Sequence, residues 1–152
     1  MRRPILIGLI ALGVVLFLAI SALLARAFSV DGAEQAAITS LLQSEARGDS
    51  SAMVAEIHGC ARSPACRQRV SEDVGKLARP GRVQLIELNQ SAGFSLTSTL
   101  GTARVVWHAG NGLPIVQCVK VRRAGNVLSG LRVELLEISR KIKTSADCPA
   151  RY

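Results

Sequence analysis

The chain has 152 residues, enough for one domain of ordinary size. Lysine plus arginine number 19 and aspartate plus glutamate 11, so the formal net charge is +8; hydrophobic residues make up 49%. This composition excludes a disordered protein, a collagen-like chain and a multi-span transporter. The basic residues are scattered and have no interleaved aromatic residues, so nucleic-acid binding is not predicted.

The first predicted element is a transmembrane helix over residues 4–25, which carry no charge. At about 1.5 Å per residue this run spans roughly 33 Å, which matches a hydrocarbon core of about 30 Å. Arg2 and Arg3 precede the run and only Arg26 follows it, so we expect a single-pass protein of the cell membrane with a cytoplasmic N-terminus and the domain outside. The alternative is a signal peptide that is cleaved after Ala27.

Polar caps and Gly or Pro breaks predict three helices after the anchor. Asp31 and Glu34 form a capping box, which predicts that the first of them begins there. Ser63 followed by Pro64 is typical of the start of a helix and predicts the third. The three helices are expected over residues 31–48, 49–59 and 63–80.

A period of two between apolar residues predicts four strands in the second half of the chain. The alternation slips at residues 86–88, which predicts a β-bulge, and residues 91–99 are polar and irregular. Turn signals at residues 110–112 and 124–126 imply short connections and therefore antiparallel neighbours. The strands are expected around residues 82–89, 103–108, 113–121 and 131–135.

This order predicts an α+β fold, in which an N-terminal transmembrane helix is followed by three helices packed on a curved four-stranded antiparallel meander. The pattern resembles the nuclear transport factor 2-like superfamily, whose cone-shaped fold includes polyketide cyclase-like proteins. The resemblance is carried by the alanine-rich helix that ends at Gly48 and Asp49, the short helix at residues 53–57, and the strands at residues 103–107, 115–122 and 131–138.

The resemblance implies a small bacterial membrane protein with a single anchor and a cone-shaped outer domain. The fold has a pocket between the sheet and the helices, and family enzymes carry acid–base residues in that pocket. The expected division of the chain is a cytoplasmic tip and anchor at residues 1–27, the extracytoplasmic domain at 28–142, and a tail at 143–152 that is tied back by a disulfide.

Four cysteines, Cys60, Cys66, Cys118 and Cys148, allow three pairings. Cys60 and Cys66 flank a short loop between two predicted helices, whereas Cys118 lies in a central strand and Cys148 in the tail. We therefore predict disulfides Cys60–Cys66 and Cys118–Cys148. A metal site is the alternative, but zinc usually has closer cysteine spacing and the outer compartment is oxidising, so neither a metal nor a cofactor is expected.

His58 and His108 are the only candidates for acid–base catalysis, and each would need a carboxylate partner. We expect His58 at the end of the second helix and His108 beside a turn, both in capping or surface roles. Glu134 lies on the polar face of its strand and is expected to face solvent. The carboxylates nearest to the histidines in the predicted order are those of Glu56, Asp73, Glu87 and Glu134.

The features together favour a membrane-anchored, extracytoplasmic, non-catalytic binding or assembly module. Its expected partners are the lipid bilayer and either a partner protein or an apolar small molecule in the cone, with no nucleic acid. Trp107, on the apolar face of its strand, is expected in the core rather than in a binding platform. The alternative function is a small cyclase or dehydratase that uses His58 or His108.

Overall fold

The computed structural model describes residues 2–90, 98–126, 130–144 and 146–149. It has an α+β fold with an open four-stranded antiparallel sheet, which is the fold class predicted from the sequence. A short 3₁₀ turn, Cys60–Arg62, lies between the second and third α-helices. The elements in chain order are α1 (Arg2–Arg47), α2 (Ser50–Glu56), α3 (Pro64–Leu77), β1 (Val83–Gln90), β2 (Ser98–Ala109), β3 (Ile115–Asn126) and β4 (Gly130–Ile138).

Helix α1 is continuous from Arg2 to Arg47, so the predicted helix start at Asp31 is wrong. Helix α1 contains no proline after Pro4. It is rich in alanine and leucine and also contains glutamate and glutamine, all of which are strong helix formers. The Glu34 carboxylate accepts a 2.7 Å hydrogen bond from Arg123 Nε instead of completing a capping box. Gly48 follows the helix with a φ of +79°, so the predicted end of the helix is confirmed.

The chain divides into two compact units, residues 1–33 and residues 34–152. In the first unit the side chains at positions 8, 10–20 and 22 are exposed, and most of them are apolar. The side chains at positions 1–7, 9 and 23–31, which include part of the predicted anchor, lie outside the description. Among the described residues, no helix combines the length and the hydropathy needed to cross a bilayer.

Side-chain caps start the two shorter helices where the sequence predicts them. Asp49 Oδ1 accepts a 2.9 Å hydrogen bond from the Ala52 N–H at the start of α2. Ser63 Oγ accepts a 3.3 Å hydrogen bond from the Cys66 N–H at the start of α3. Helix α2 ends at Glu56, so His58 lies beyond the helix. The prediction that His58 is at the end of this helix is therefore wrong.

The sheet is a meander in the order β1-β2-β3-β4, with β1 and β4 at its edges. The register of β1 against β2 shifts between Leu85 and Glu87, which confirms the predicted bulge. Strand β2 begins at Ser98, so the irregular stretch predicted over residues 91–99 is wrong for its last two residues, and residues 91–97 lie outside the description. Residues 124–126 pair with β4 and belong to β3, so the turn predicted there is also wrong.

The hydrophobic core of the second unit lies between the helices and one face of the sheet. Trp107 on β2 is fully buried at its centre, as predicted. Apolar residues of α1, α2, α3 and all four strands pack in the same cluster. Its members include Ile38, Leu41, Leu42, Met53, Ile57, Val70, Leu77, Val83, Val105, Trp107, Val119 and Leu135.

The opposite face of the sheet is covered in part by the chain that follows β4. Val116 and Cys118 alternate with core-facing residues of β3 and are nevertheless buried. Ile142 forms a β-bridge with Val116, and the Ser139 N–H donates to the Cys118 carbonyl over 2.8 Å. The Arg104 guanidinium donates to the Thr144 carbonyl. The polar segment after β4 is therefore an integral part of the fold.

Candidate functional site

The main candidate binding site is a groove at the edge of β4. The chain leaving α2 pairs with this edge, because Ile57 bridges Leu135 in parallel and the His58 N–H donates to the Leu135 carbonyl over 2.7 Å. These main-chain contacts fix His58 beside β4. The groove has a volume of about 320 Å³ and is lined by Ala37, Ser40, Ala55, Glu56, His58, Val133, Glu134 and Leu135.

Glu56 is the acidic group on the helical side of the groove. Its Oε1 accepts hydrogen bonds from Ser40 Oγ at 2.8 Å and from Ser44 Oγ at 3.3 Å. Its Oε2 is buried and has no hydrogen-bond donor. Two hydroxyl donors from α1 thus hold this carboxylate in position across the turn between α1 and α2.

Glu134 is the acidic group on the strand side, and it does not simply face solvent as the sequence predicts. Its side chain is 26% exposed, and its Oε2 accepts a 2.8 Å hydrogen bond from Arg122 Nε on β3. This hydrogen bond is the main cause that lowers the pKa of Glu134, and the nearby His58 lowers it further. Glu134 is therefore ionised at neutral pH and is already paired with a cation.

The groove brings His58 together with Glu56 and Glu134, but it does not hold an assembled acid–base pair. In the described part of the chain, no hydrogen bond joins the His58 imidazole to a carboxylate. His108 lies elsewhere: its Nδ1 is 2.9 Å from the Gly110 carbonyl oxygen, and it does not line the groove. The two histidine candidates thus lie in separate parts of the domain, His58 in the groove and His108 beside the turn at Gly110.

A second polar cluster, which the sequence pattern does not predict, lies in the core around Trp107. Trp107 Nε1 donates to Gln117 Oε1 over 2.7 Å, and Gln117 Nε2 donates to Glu45 Oε1 over 2.9 Å and to the Ser139 carbonyl over 3.1 Å. Gln117 and Glu45 are completely buried. Since an indole N–H can only donate, Trp107 fixes the orientation of the Gln117 amide.

Asp73 on α3 is the other buried acid of this region, with 2% of its surface exposed. Burial raises the pKa of Asp73 to about 7, and Arg69 and Arg140 oppose that shift. Burial also raises the pKa of Glu45 to about 8; the Gln117 hydrogen bond opposes the rise and the charge of Asp73 adds to it. Burial therefore makes both carboxyl groups favour the neutral form far more than exposed acids do.

The cysteines form two disulfides, Cys60–Cys66 and Cys118–Cys148, which are the pairs expected from the sequence. Their Cα atoms are 5.2 and 5.7 Å apart, within the usual range. The first closes the 3₁₀ turn onto α3, and the second ties the segment after β4 to the central strand β3. Over the described residues, no group of three or more His, Cys, Asp or Glu side chains is arranged to hold a metal ion.

The fold and these sites define an α+β domain with a groove at one sheet edge and an acidic cluster in its core. Comparison with protein-family models, with curated proteins and with solved structures finds no match.

Proposed function

We propose that the protein is a membrane-anchored, extracytoplasmic module that binds a ligand or assembles with a partner and is not a catalyst. The observation that carries this proposal is the exposed apolar surface of α1. Between positions 10 and 22 every side chain is uncharged, and all except Ser21 are exposed. Ile10, Leu12, Val15 and Phe17 are each 59–69% exposed. An exposed helical surface that is apolar on all sides favours an apolar environment.

The anchor and its orientation rest on the uncharged run at residues 4–25, of whose side chains the structure describes those at positions 8 and 10–22. Arg2 and Arg3 before the run favour a cytoplasmic N-terminus. The two disulfides are consistent with an extracytoplasmic domain, since disulfides persist in oxidising compartments. The proposed localisation is the cell membrane, with residues beyond 27 on the outer side.

We also propose that the domain belongs to the nuclear transport factor 2-like superfamily. The order of α-helices followed by a four-stranded antiparallel meander supports this proposal. Because Trp107 and Gln117 fill the core side of the sheet, we assign the partner protein or apolar small molecule to the groove at the β4 edge. The groove combines apolar walls with two carboxylates.

Membrane anchoring is tested by extraction of the full chain from membranes at alkaline pH. A variant that carries Leu16→Lys and Phe17→Lys should leave the membrane fraction, because charges near the centre of a spanning helix are costly. The matched control is Leu113→Lys, since Leu113 is 84% exposed and lies outside α1; it should remain bound. Extraction of the unaltered chain as a soluble protein would contradict the anchor.

Orientation is tested by added protease on intact cells stripped of their wall. Residues beyond about 30 should be digested, since the domain is proposed to lie outside. Full protection of these residues would indicate the opposite orientation.

Binding in the groove is tested by a photocrosslinking residue at Ala55, with the same residue at Leu113 as the control. Identical crosslinked products from both positions would argue against binding in the groove.

A second candidate, a small cyclase or dehydratase, is favoured by one observation, which is that His58 shares the groove with Glu56 and Glu134. Hydrogen bonds between catalytic groups often tighten only when substrate binds. The test is a ligand-bound structure. An imidazole that stays out of hydrogen-bonding distance of both carboxylates would remove this candidate.

A further inference from the structure

The edge of β4 carries main-chain groups that its neighbour β3 does not use. The Leu135 carbonyl accepts from the His58 N–H and Ile57 bridges Leu135 in parallel, so the main chain of Leu135 faces away from β3. Residues of an antiparallel ladder alternate between facing the partner strand and facing away from it. Val133 lies two positions before Leu135 with no register shift between them. Its N–H and C=O therefore also face outward.

These outward-facing groups border the groove at the β4 edge. Val133 lines the groove, and in the described part of the chain no main-chain hydrogen bond outside the sheet reaches its N–H or C=O. The wall opposite the strand includes Ala37, Ser40 and Ala55, whose short side chains leave space beside β4. An unpaired strand edge beside such a space is a template for an added strand.

The groove also contains a carboxylate without a cation. Glu134 is paired with Arg122 through a 2.8 Å hydrogen bond. Glu56 Oε1 accepts from the hydroxyl groups of Ser40 and Ser44, and Glu56 Oε2 is buried without a donor. Among the described residues, no lysine or arginine forms an ion pair with Glu56. Since a carboxylate removed from water needs donors or a cation, the groove favours a ligand that brings a positive charge.

The other edge of the sheet is less suited to an added strand. The Val83 N–H at the start of β1 already donates to Gln43 Oε1 over 3.0 Å. The register of β1 shifts between Leu85 and Glu87, and a bulge of this kind interrupts regular pairing along an edge. The β4 edge is therefore the better template.

We propose that the groove binds an extended segment of a partner protein, which adds to β4 as a further strand and carries a lysine or arginine toward Glu56. The main chain of the segment pairs with the N–H and C=O of Val133 and continues along the edge from the place that Ile57 and His58 occupy. Its ammonium or guanidinium group neutralises the Glu56 carboxylate. The inference rests on the proposed binding role of the groove and assigns a basic peptide to it rather than an apolar small molecule.

The main-chain part is tested by selecting short random peptides displayed on phage against the full chain in detergent micelles. Peptides with lysine or arginine among strand-forming residues should be enriched. Val133→Pro removes the outward N–H and keeps the ladder with β3, because proline is tolerated on an edge strand. It should weaken the selected peptides about tenfold, as the loss of one hydrogen bond does. Val133→Thr keeps the N–H and is the control, which should bind normally.

The charge part is tested with the same peptides. Glu56→Gln keeps the shape of the side chain and removes its charge, so affinity should fall several-fold, and the difference should shrink at high salt. Glu137→Gln is the matched control. Glu137 also lies on β4, but it pairs with Lys120 and does not line the groove, so its variant should leave the affinity unchanged.

Unchanged affinity in Val133→Pro or in Glu56→Gln would overturn the proposal. If Val133→Pro does not fold, hydrogen exchange in the unaltered chain replaces it: a selected peptide should slow exchange of the Val133 N–H, and unchanged exchange would contradict strand addition. If no peptide is selected and the photocrosslinker at Ala55 captures a small molecule, strand addition is wrong but the groove remains a binding site. If neither experiment finds a ligand, both proposals are wrong.

Discussion

Arg123 Nη2 lies 2.7 Å from Glu34 Oε2, and this ion pair joins β3 to α1 inside the domain. The Glu34 side chain is completely buried and that of Arg123 is 16% exposed. Removing both charges from water is costly, so the pair depends on its close geometry. Glu34, which the sequence pattern assigns to a helix cap, thus forms a tertiary contact between α1 and β3.

Replacing one partner of this pair should destabilise the domain strongly. Arg123→Met leaves the buried Glu34 carboxylate without its cation, and we expect a loss of about 3–5 kcal/mol in the free energy of unfolding. Urea denaturation followed by circular dichroism measures it. The adjacent Arg122→Met is the control, because its pair with Glu134 is 38% and 26% exposed and should contribute less than about 1 kcal/mol. Equal losses would mean that the burial of Glu34 is unimportant.

Gly81 and Gly110 approach each other so closely that neither can carry a side chain without movement. A Cβ at Gly81 would lie 2.7 Å from the Gly110 nitrogen, and the φ of Gly81 is +119°. We expect Gly81→Ala to lower the free energy of unfolding by more than about 1 kcal/mol. Gly75→Ala in α3, where no atom lies within 4 Å, should raise it by about 0.5–1 kcal/mol. Thermal unfolding of both variants measures these changes in stability. Changes of the same sign would contradict the different roles given to Gly81 and Gly75.

Trp107 and Gln117 should behave as a coupled pair. Trp107→Phe leaves Gln117 Oε1 without its donor, and Gln117→Leu leaves the indole N–H without its acceptor, so each single change carries a penalty for a buried unpaired group. In the double variant the indole N–H and the Gln117 oxygen are both absent, so neither is left buried without its partner. A double-mutant cycle should give a coupling energy of about 0.5–3 kcal/mol, whereas strict additivity would contradict the contact.

The two disulfides should differ in their effect on stability. Cys118 and Cys148 are 30 positions apart, whereas Cys60 and Cys66 are 6 positions apart. The chain-entropy estimate of the stabilisation is about 3.7 kcal/mol for the longer loop and about 2.4 kcal/mol for the shorter one. Cys148→Ala should therefore lower the melting temperature more than Cys66→Ala, and it should release a thiol at Cys118. A larger effect of Cys66→Ala would indicate that the short loop organises α2 and α3.

The sequence was sufficient for most elements of the fold because their signals are local. Ser63 with Pro64 marks the start of α3, and the slip in alternation marks the bulge near Leu85. The cysteine pairing followed from chain connectivity and element order. The continuity of α1 was not foreseen, since a capping box at Asp31 and Glu34 is a local pattern that a tertiary contact can override.

The core cluster was missed although the sequence contains a signal for it. Glu34 and Glu45 share helical spacing with Ile38, Leu41 and Leu42, and Asp73 lies between Val70 and Leu77 on the apolar face of α3. Gln117 alternates with core residues of β3 in the same way. Acidic residues at core-facing positions of a periodic pattern predict buried polar groups. Their partners come from distant elements, and sequence spacing does not identify those partners.

The spacing of the two disulfides has a consequence for how the chain matures. If the domain is exported as proposed, Cys60 and Cys66 both emerge before Cys118, because they precede it in the chain. Once they are joined, only Cys118 and Cys148 remain, and these two can pair only with each other. Of the three pairings that four cysteines allow, such export from the N-terminus onward would therefore favour the native one.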